Sequence, residues 1–239
     1  MTFATECQIP TDAASRIAAT MAMLQRAVPV QRRIVHAGDL LYRAGDRFAW
    51  LHVLNSGICK TVNLSADGRE QVVGLQFKGD WLGFDGIACG RHGCDAVALD
   101  TGEVWSVRYD DLLAACLKEP KLLSELHAAM SREIGRDRDA MLAMCTLPAD
   151  ARVADFLRQW ADALAERGLR TDQITLRLTR AEIGNCLGMT LESVSRAMSK
   201  MARESVIRIG EKCRRDIEIP ELGALRDFIQ RNGAAALAH

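Results

Sequence analysis

The 239-residue chain contains no run of about 18 uncharged apolar residues, which excludes a helix built to cross a bilayer. Its opening stretch, MTFATECQIPTDAASRIAATMAML, lacks the basic start and clean apolar block of a secretory signal, because Glu6, Asp12 and Arg16 interrupt it. A cytoplasmic protein is therefore expected. No C-x-x-C pair occurs: the eight cysteines, at 7, 59, 89, 94, 116, 145, 186 and 213, are scattered, as small buried hydrophobes in a reducing compartment would be. No net charge is present either, which argues against a chain coated in basic groups for unspecific polyanion binding. A phosphate loop and an H-E-x-x-H helix are both missing, and no cysteine stands beside a His and an acid in a recognisable motif. An enzyme is not expected.

What the chain does have is a change of pattern along its length. Residues 30–110 are punctuated by eleven glycines, with β-rich runs between them: WLHVLNSG, ICKTVNL, QVVGLQF and AVALDTGEVWSVR. That spacing of turns predicts a small sandwich or barrel of short strands, and Asp67-Gly68 within SADGRE is a strong hairpin signal. From about Pro120 to Thr146 the only glycine is Gly135, and no proline interrupts. Leu123, Met130, Ile134, Met141 and Met144 fall at alternating steps of three and four, a heptad seam on a helix that Pro148 ends. Such a helix either packs on the β domain or pairs with a second copy of itself. His127 and Asp137 are polar positions in the seam. In a symmetric pair Asp137 would approach its own copy and hold the dimer near balance; the other reading is that it is rotated out and solvated.

After Pro148 the segment ARVADFLRQWADALAERG carries Val153, Phe156, Leu157, Trp160 and Leu164 on one helical face, with Gly168 placed to end it. A strand QITLRL follows, then RAEIGNCLGMTLESVSRAM, then SVIRIGEKCRRDIEIP, which reads as two strands around a basic turn. From Arg170 to Arg215 there are ten basic side chains against five acidic ones, a local bias that favours nucleic acid.

Thr179 and Glu182 have the spacing of a capping box, predicting a helix over Arg180–Leu187. Gly188 permits a sharp turn, and Thr190 caps a second helix. There Val194, Met198 and Met201 share an inner face, while Glu192, Ser195, Arg196, Ser199 and Lys200 lie outside. Glu accepts from cytosine N4, Arg binds guanine O6 and N7 with two bonds, and Ser adapts to base or phosphate. Thr179, Arg180, Thr190, Glu192, Ser195, Arg196, Ser199 and Lys200 are thus the candidate DNA-binding residues. An ordinary helical hairpin with a solvated face is the competing reading; the strand before it and the basic hairpin after it favour a winged helix-turn-helix.

The order of glycine-rich β-roll, long helix and winged helix-turn-helix resembles the CRP/FNR superfamily of bacterial transcription regulators over nearly the whole chain. The most specific piece, LTRAEIGNCLGMTLESVSRAMSKM, is similar to the FNR branch; AGDLLYRAGD, GDWLGFDGI and REIGRDRDAML support it. The resemblance implies an α+β chain with a cyclic-nucleotide-binding-like sensor β-roll over 1–118, a dimerisation helix over 119–147, the DNA-binding domain over 148–222 and a C-terminal tail over 223–239. It implies a homodimer with a seam of Leu123, Met130, Ile134, Asp137 and Met141. Glu192, Ser195 and Arg196 match a Glu-x-x-Ser-Arg signature that reads TTGAT, so a TTGAT-N4-ATCAA-like palindrome is expected. Activation is expected too, with Lys78–Phe84 as an exposed loop resembling the surface that family members present to RNA polymerase.

The input end departs from the family. The FNR iron–sulfur cluster needs three closely spaced N-terminal cysteines and one in the β-roll; here the N-terminal region offers Cys7, and the β-roll position falls near Trp105, so no such cluster is expected. The cyclic-AMP branch uses a Gly-Glu-Leu turn and a basic pair; Gly79-Asp80-Trp81 and CDAVALDT supply neither, so cyclic AMP is not expected. Three inputs stay open: a thiol sensor at Cys89 and Cys94, haem or a metal at His92 with these cysteines or at His36 or His52, and an apolar small molecule or none. The segment CGRHGC also reads as a flexible surface loop. The alternative function is a ligand-binding or thiol-redox module whose output is not DNA binding.

Overall fold

The structure is a computed structural model that describes residues 13–64, 68, 70–211 and 213–236. Cys7 lies outside these residues, as does most of the SADGRE turn. Helix α1 (Ala13–Ala27) precedes the β-roll strands β1 (Gln31–Val35), β2 (Leu40–Tyr42), β3 (Trp50–Ser56), β4 (Cys59–Leu64), β5 (Glu70–Gln76) and β6 (Trp81–Leu82). A short α2 (Gly86–Cys89) leads to β7 (Asp95–Ala98) and β8 (Gly102–Arg108). Helices α3 (Tyr109–Lys118), α4 (Pro120–Thr146) and α5 (Ala149–Ala165) follow. The C-terminal unit continues with β9 (Gln173–Thr175), α6 (Arg180–Leu187), α7 (Leu191–Arg203), β10 (Arg208–Ile209), β11 (Asp216–Glu218) and α8 (Leu222–Ala236).

The β-roll is two four-stranded sheets, in the orders β1-β8-β3-β6 and β2-β7-β4-β5. Alternation puts Val35, Tyr42, Leu54, Leu82, Ala96 and Val104 between them. The other face of the first sheet, with Leu51, Val53, Trp105 and Val107, is covered by Met21 and Leu24 of α1, Leu112 of α3 and Leu122, Leu126 and Ala129 of α4. A third core belongs to the C-terminal unit. It joins α5, α6, α7 and α8 to the sheet β10-β11-β9 and takes in Phe77 of the β-roll, whose ring meets Trp160 edge-on at 5.3 Å.

Pro120 stands in the first turn of α4, where its missing N–H costs nothing. The N-terminal half of α4 buries Leu122, Leu126 and Ala129 against its own β-roll. The seam positions stay open in the single chain: Ile134 is 49% exposed and Met141 58% exposed. Asp137 and His127 are also exposed.

Two expectations change. Lys78–Phe84 is not an exposed loop. Lys78 is open, but Asp80, Trp81 and Leu82 are buried. The Asp80 carboxylate accepts from Arg167, just after α5, at 2.8 Å and from Arg136 of α4 at 3.0 Å, while Trp81 and Leu82 form β6 and pack into the two β-roll cores. Residues 223–236 are not a tail but most of α8. Leu225 and Phe228 are fully buried against α5, because their spacing of three puts both on one helical face.

Candidate nucleic-acid interface

The helix-turn-helix is set by its caps. The Thr179 hydroxyl accepts from the Glu182 N–H at 3.2 Å, and the Glu182 carboxylate accepts from the Thr179 N–H at 2.7 Å, completing the capping box. Helix α6 ends at Gly188, whose φ of 61° is the left-handed conformation glycine adopts without a Cβ clash. The Met189 N–H then turns back to the Gly184 carbonyl at 2.9 Å. Gly184 is needed for a different reason: a Cβ there would stand 2.6 Å from the Met189 carbonyl oxygen. Arg152 of α5 donates to the Leu187 carbonyl at 2.8 Å and fixes the end of α6. Thr190 restarts the chain, its hydroxyl accepting from the Ser193 N–H at 3.2 Å.

Helix α7 is strongly two-faced. Val194, Ala197, Met198 and Met201 are sealed in the core. Glu192, Arg196 and Ser199 are exposed and Ser195 is half-buried. Its own backbone N–H, the Thr190 hydroxyl and Arg196 hold the Glu192 carboxyl below the usual range, so it is an acceptor at neutral pH. One Arg196 nitrogen meets the Ser193 hydroxyl at 3.3 Å, which steadies the fork without covering it. Arg196, Ser195 and Ser199 border one open groove with Arg203 and Asp150. A second groove, between α7 and the wing, is lined by Arg180, Ser195, Ser199, Arg214 and Arg215.

Of the eight residues singled out in the sequence, Glu192, Ser195, Arg196 and Ser199 thus share one accessible face, with Arg180 at its border. Thr179 and Thr190 spend their hydroxyls on caps. Lys200 is turned away from that role: its ammonium donates to Asp150 and Asn232, both at 2.8 Å, and ties α7 to α5 and α8. Its place on the helical wheel is right, but two neighbouring helices claim it. Arg214 and Arg215, part of the basic bias over 170–215, join Arg180 at this border. The signal for them was the position of the pair in the turn between two strands.

The β-roll candidates are arranged differently. The segment after α2 is not a loose surface loop, because Phe48 N–H bonds Gly90 O at 2.9 Å, Gly45 N–H bonds His92 O at 2.7 Å and His92 N–H bonds Asp46 O at 3.0 Å. His92 is buried, stacked on Tyr42 with ring centroids 3.8 Å apart. Its Nδ1 is 3.7 Å from the Asp85 carboxylate, beyond hydrogen-bond reach. The Cys94 thiol donates to Asp85 at 3.4 Å, and burial pushes its pKa up to about 12. Cys89 is exposed, and both sulfurs are free thiols. Burial pushes His52 down to about 4, and its Nδ1 bonds the Ser106 hydroxyl at 2.8 Å. His36 is exposed. Among the described residues, no group of three or more His, Cys, Asp or Glu is disposed to hold a metal ion.

Comparison with known proteins agrees with this geometry. The Crp-like helix-turn-helix domain family matches residues 151–228 and the cyclic nucleotide-binding domain family matches residues 32–119. The chain is 32% identical over 190 residues to the fumarate and nitrate reduction regulatory protein of Escherichia coli, covering 80% of this chain and 74% of that one. Its fold is similar to FixK2 from Bradyrhizobium japonicum, with a TM-score of 0.75 and 24% identity over 84% of this chain and 97% of that one. A CRP-family transcriptional regulator from Thermus thermophilus aligns with a TM-score of 0.67 and 19% identity, over 83% of this chain and 96% of that one. The matched relatives are regulators and not enzymes. With a β-roll, a long helix and a capped helix-turn-helix in that order, the chain belongs to the CRP/FNR family of transcriptional regulators.

Proposed function

We propose that this regulator binds a TTGAT-N4-ATCAA-like palindrome as a homodimer and activates transcription from it. The observation that carries the reading is the single open face of α7, where Glu192, Ser195 and Arg196 project from a helix fixed at its start by the Thr190 cap. An ionised Glu192 suits cytosine N4, and the Arg196 fork suits guanine. Arg214 and Arg215 of the wing, with Arg180, supply cations for the phosphates on either side. The homodimer is supported by the exposed apolar seam of α4, Leu123, Ile134, Met141 and Met144, which a second copy would cover. RNA polymerase is the partner that activation requires. Because Lys78–Phe84 is largely buried, that contact would use another surface. The cytoplasm is where such a protein would act; among the described residues, no helix is long and apolar enough to cross a membrane.

The input is proposed to be a redox, gas or small-molecule signal read in the β-roll. Cyclic AMP fits poorly, since the buried Lys60 of the β-roll is already engaged by Glu182. Cys94 is a poor thiol sensor while it stays protonated beside Asp85. Haem at His92 would first have to separate the ring from Tyr42.

The test is binding at fixed salt to the palindrome and to random DNA. Wild type is expected to prefer the palindrome, and Arg196→Ala to lose that preference. Equal discrimination by both proteins would overturn the recognition assignment. The mass of the wild type in solution checks the homodimer.

A further inference from the structure

Helix α4 reaches the C-terminal unit through two residues, Leu147 and Pro148, both extended. So short a joint leaves the unit free to rotate unless something else holds it. Beside the apolar packing of Phe77 on Trp160, two polar clusters tie it to the β-roll. Asp80 binds Arg136 of α4 and Arg167 beyond α5, as described above. The second cluster is at the helix-turn-helix itself. Lys60 lies on β4, a central strand paired with Leu75 of β5 on one side and Val97 of β7 on the other. Its side chain is buried, and its ammonium donates to Glu182 Oε1 at 2.6 Å. The other oxygen, Oε2, accepts from the N–H and hydroxyl of Thr179 at 2.7 and 2.8 Å. One carboxylate therefore caps α6 and is held by the β-roll. Around it, Gln71 of β5 donates to the Asn185 carbonyl of α6, and Arg177 meets Asp100 at 3.2 Å. Asp100 is fixed in turn by the Ile58 N–H at 2.8 Å.

In a two-fold dimer the half-site spacing a protein accepts is set by the distance and angle between its two reading helices. We infer that Lys60 is a positioning residue for spacer length: by clamping the capping carboxylate of α6 to the β-roll, it fixes α7 relative to the dimer helix and so selects the four-base gap between half-sites. It does not touch a base, so it sets where the two reading faces stand and leaves what each one reads unchanged. This rests on the palindrome reading above.

The experiment measures binding of the full chain, at fixed salt, to TTGAT palindromes with gaps of three, four and five bases and to a palindrome with scrambled half-sites. Wild type should prefer the four-base gap. Lys60→Met keeps the buried stem, and Glu182 keeps its bonds to Thr179. It should lose most of the preference for four bases over three or five while retaining the preference for TTGAT over scrambled half-sites. Lys60→Arg should restore the gap preference. A wild-type gap preference in Lys60→Met would overturn the inference, as would loss of half-site and gap preferences in equal measure. Should Lys60→Met fail to fold, Arg177→Gln at the more exposed pair decides, with a smaller narrowing expected and no narrowing counting against. A wild type indifferent between the palindrome and scrambled DNA would instead sink the palindrome reading and this inference with it.

Discussion

The helix-turn-helix and the β-roll keep their chemistry on opposite sides of their cores. In the C-terminal unit the apolar face of α7 is sealed, and its reactive groups stand outside on a helix fixed by caps. In the β-roll the candidates His92 and Cys94 are buried and His52 half-buried, with Cys94 donating to Asp85, His52 bonding Ser106 and His92 stacked on Tyr42. An exposed, preorganised face is ready to meet a rigid partner such as duplex DNA. A buried polar cluster has to be opened or retitrated before it can report anything. The helix-turn-helix thus presents a fixed outer face, and the β-roll holds a set of partly satisfied groups with a buried Tyr42 hydroxyl and a His92 nitrogen unpaired.

The largest effect that separates the two halves is expected at Trp160. Trp160→Ala removes a buried ring from the C-terminal core together with its contact to Phe77 and should cost about 3–5 kcal/mol. In denaturant, the C-terminal unit should then unfold ahead of the β-roll. A single unchanged transition would show that the halves are not distinct in this way.

Next is Glu133, half-buried where α4 passes the β-roll. Burial drives its carboxyl up to about 7, against the pull of Arg136, while Asp137, Asp85 and Asp80 add to the rise. An acid raised on folding gives stability that is complete below its unfolded pKa, near 4.3, and is lost as pH climbs through 7. Glu133→Gln should flatten that decline and be more stable than wild type at pH 8, by roughly 2–3 kcal/mol. Melting curves across this range check it, and an unchanged slope would rule out Glu133 as its source.

The smallest effect is chemical. At pH 8 a small alkylating reagent should label the exposed Cys89, Cys145 and Cys213 in the native protein and spare Cys94 and Cys59, both pushed up to about 12 by burial. Mass spectrometry after short exposures reads this directly. Fast labelling of Cys94 would mean that residues 90–94 open readily, and would strengthen a thiol input.

The same contrast explains what could be read from the sequence. The bounds of α6 followed from Thr179, Glu182 and Gly188, because caps are local and their spacing is fixed. Glycine punctuation located β3, β4 and β5 for a similar reason. Lys200 was misplaced because its partners Asp150 and Asn232 come from helices far along the chain. The buried position of His92 was hidden by its glycine-rich surroundings, which look like a loop until the bonds to residues 45–48 close over them. Lys78–Phe84 was misread because Asp80 meets arginines 56 and 87 residues away. No period or motif encodes those meetings. The helical pattern of Leu222, Leu225, Phe228 and Ile229 was there to be found, and Gly223 obscured it.

The central claim is that Arg196 reads a base, and the direct measurement is the coupling between Arg196→Ala and replacement of the guanine in TTGAT, from four binding constants at one salt concentration. The account predicts that the base change costs wild type about 1–3 kcal/mol per half-site and costs the variant almost nothing. Equal costs in both proteins would contradict it and return α7 to being an ordinary solvated helix.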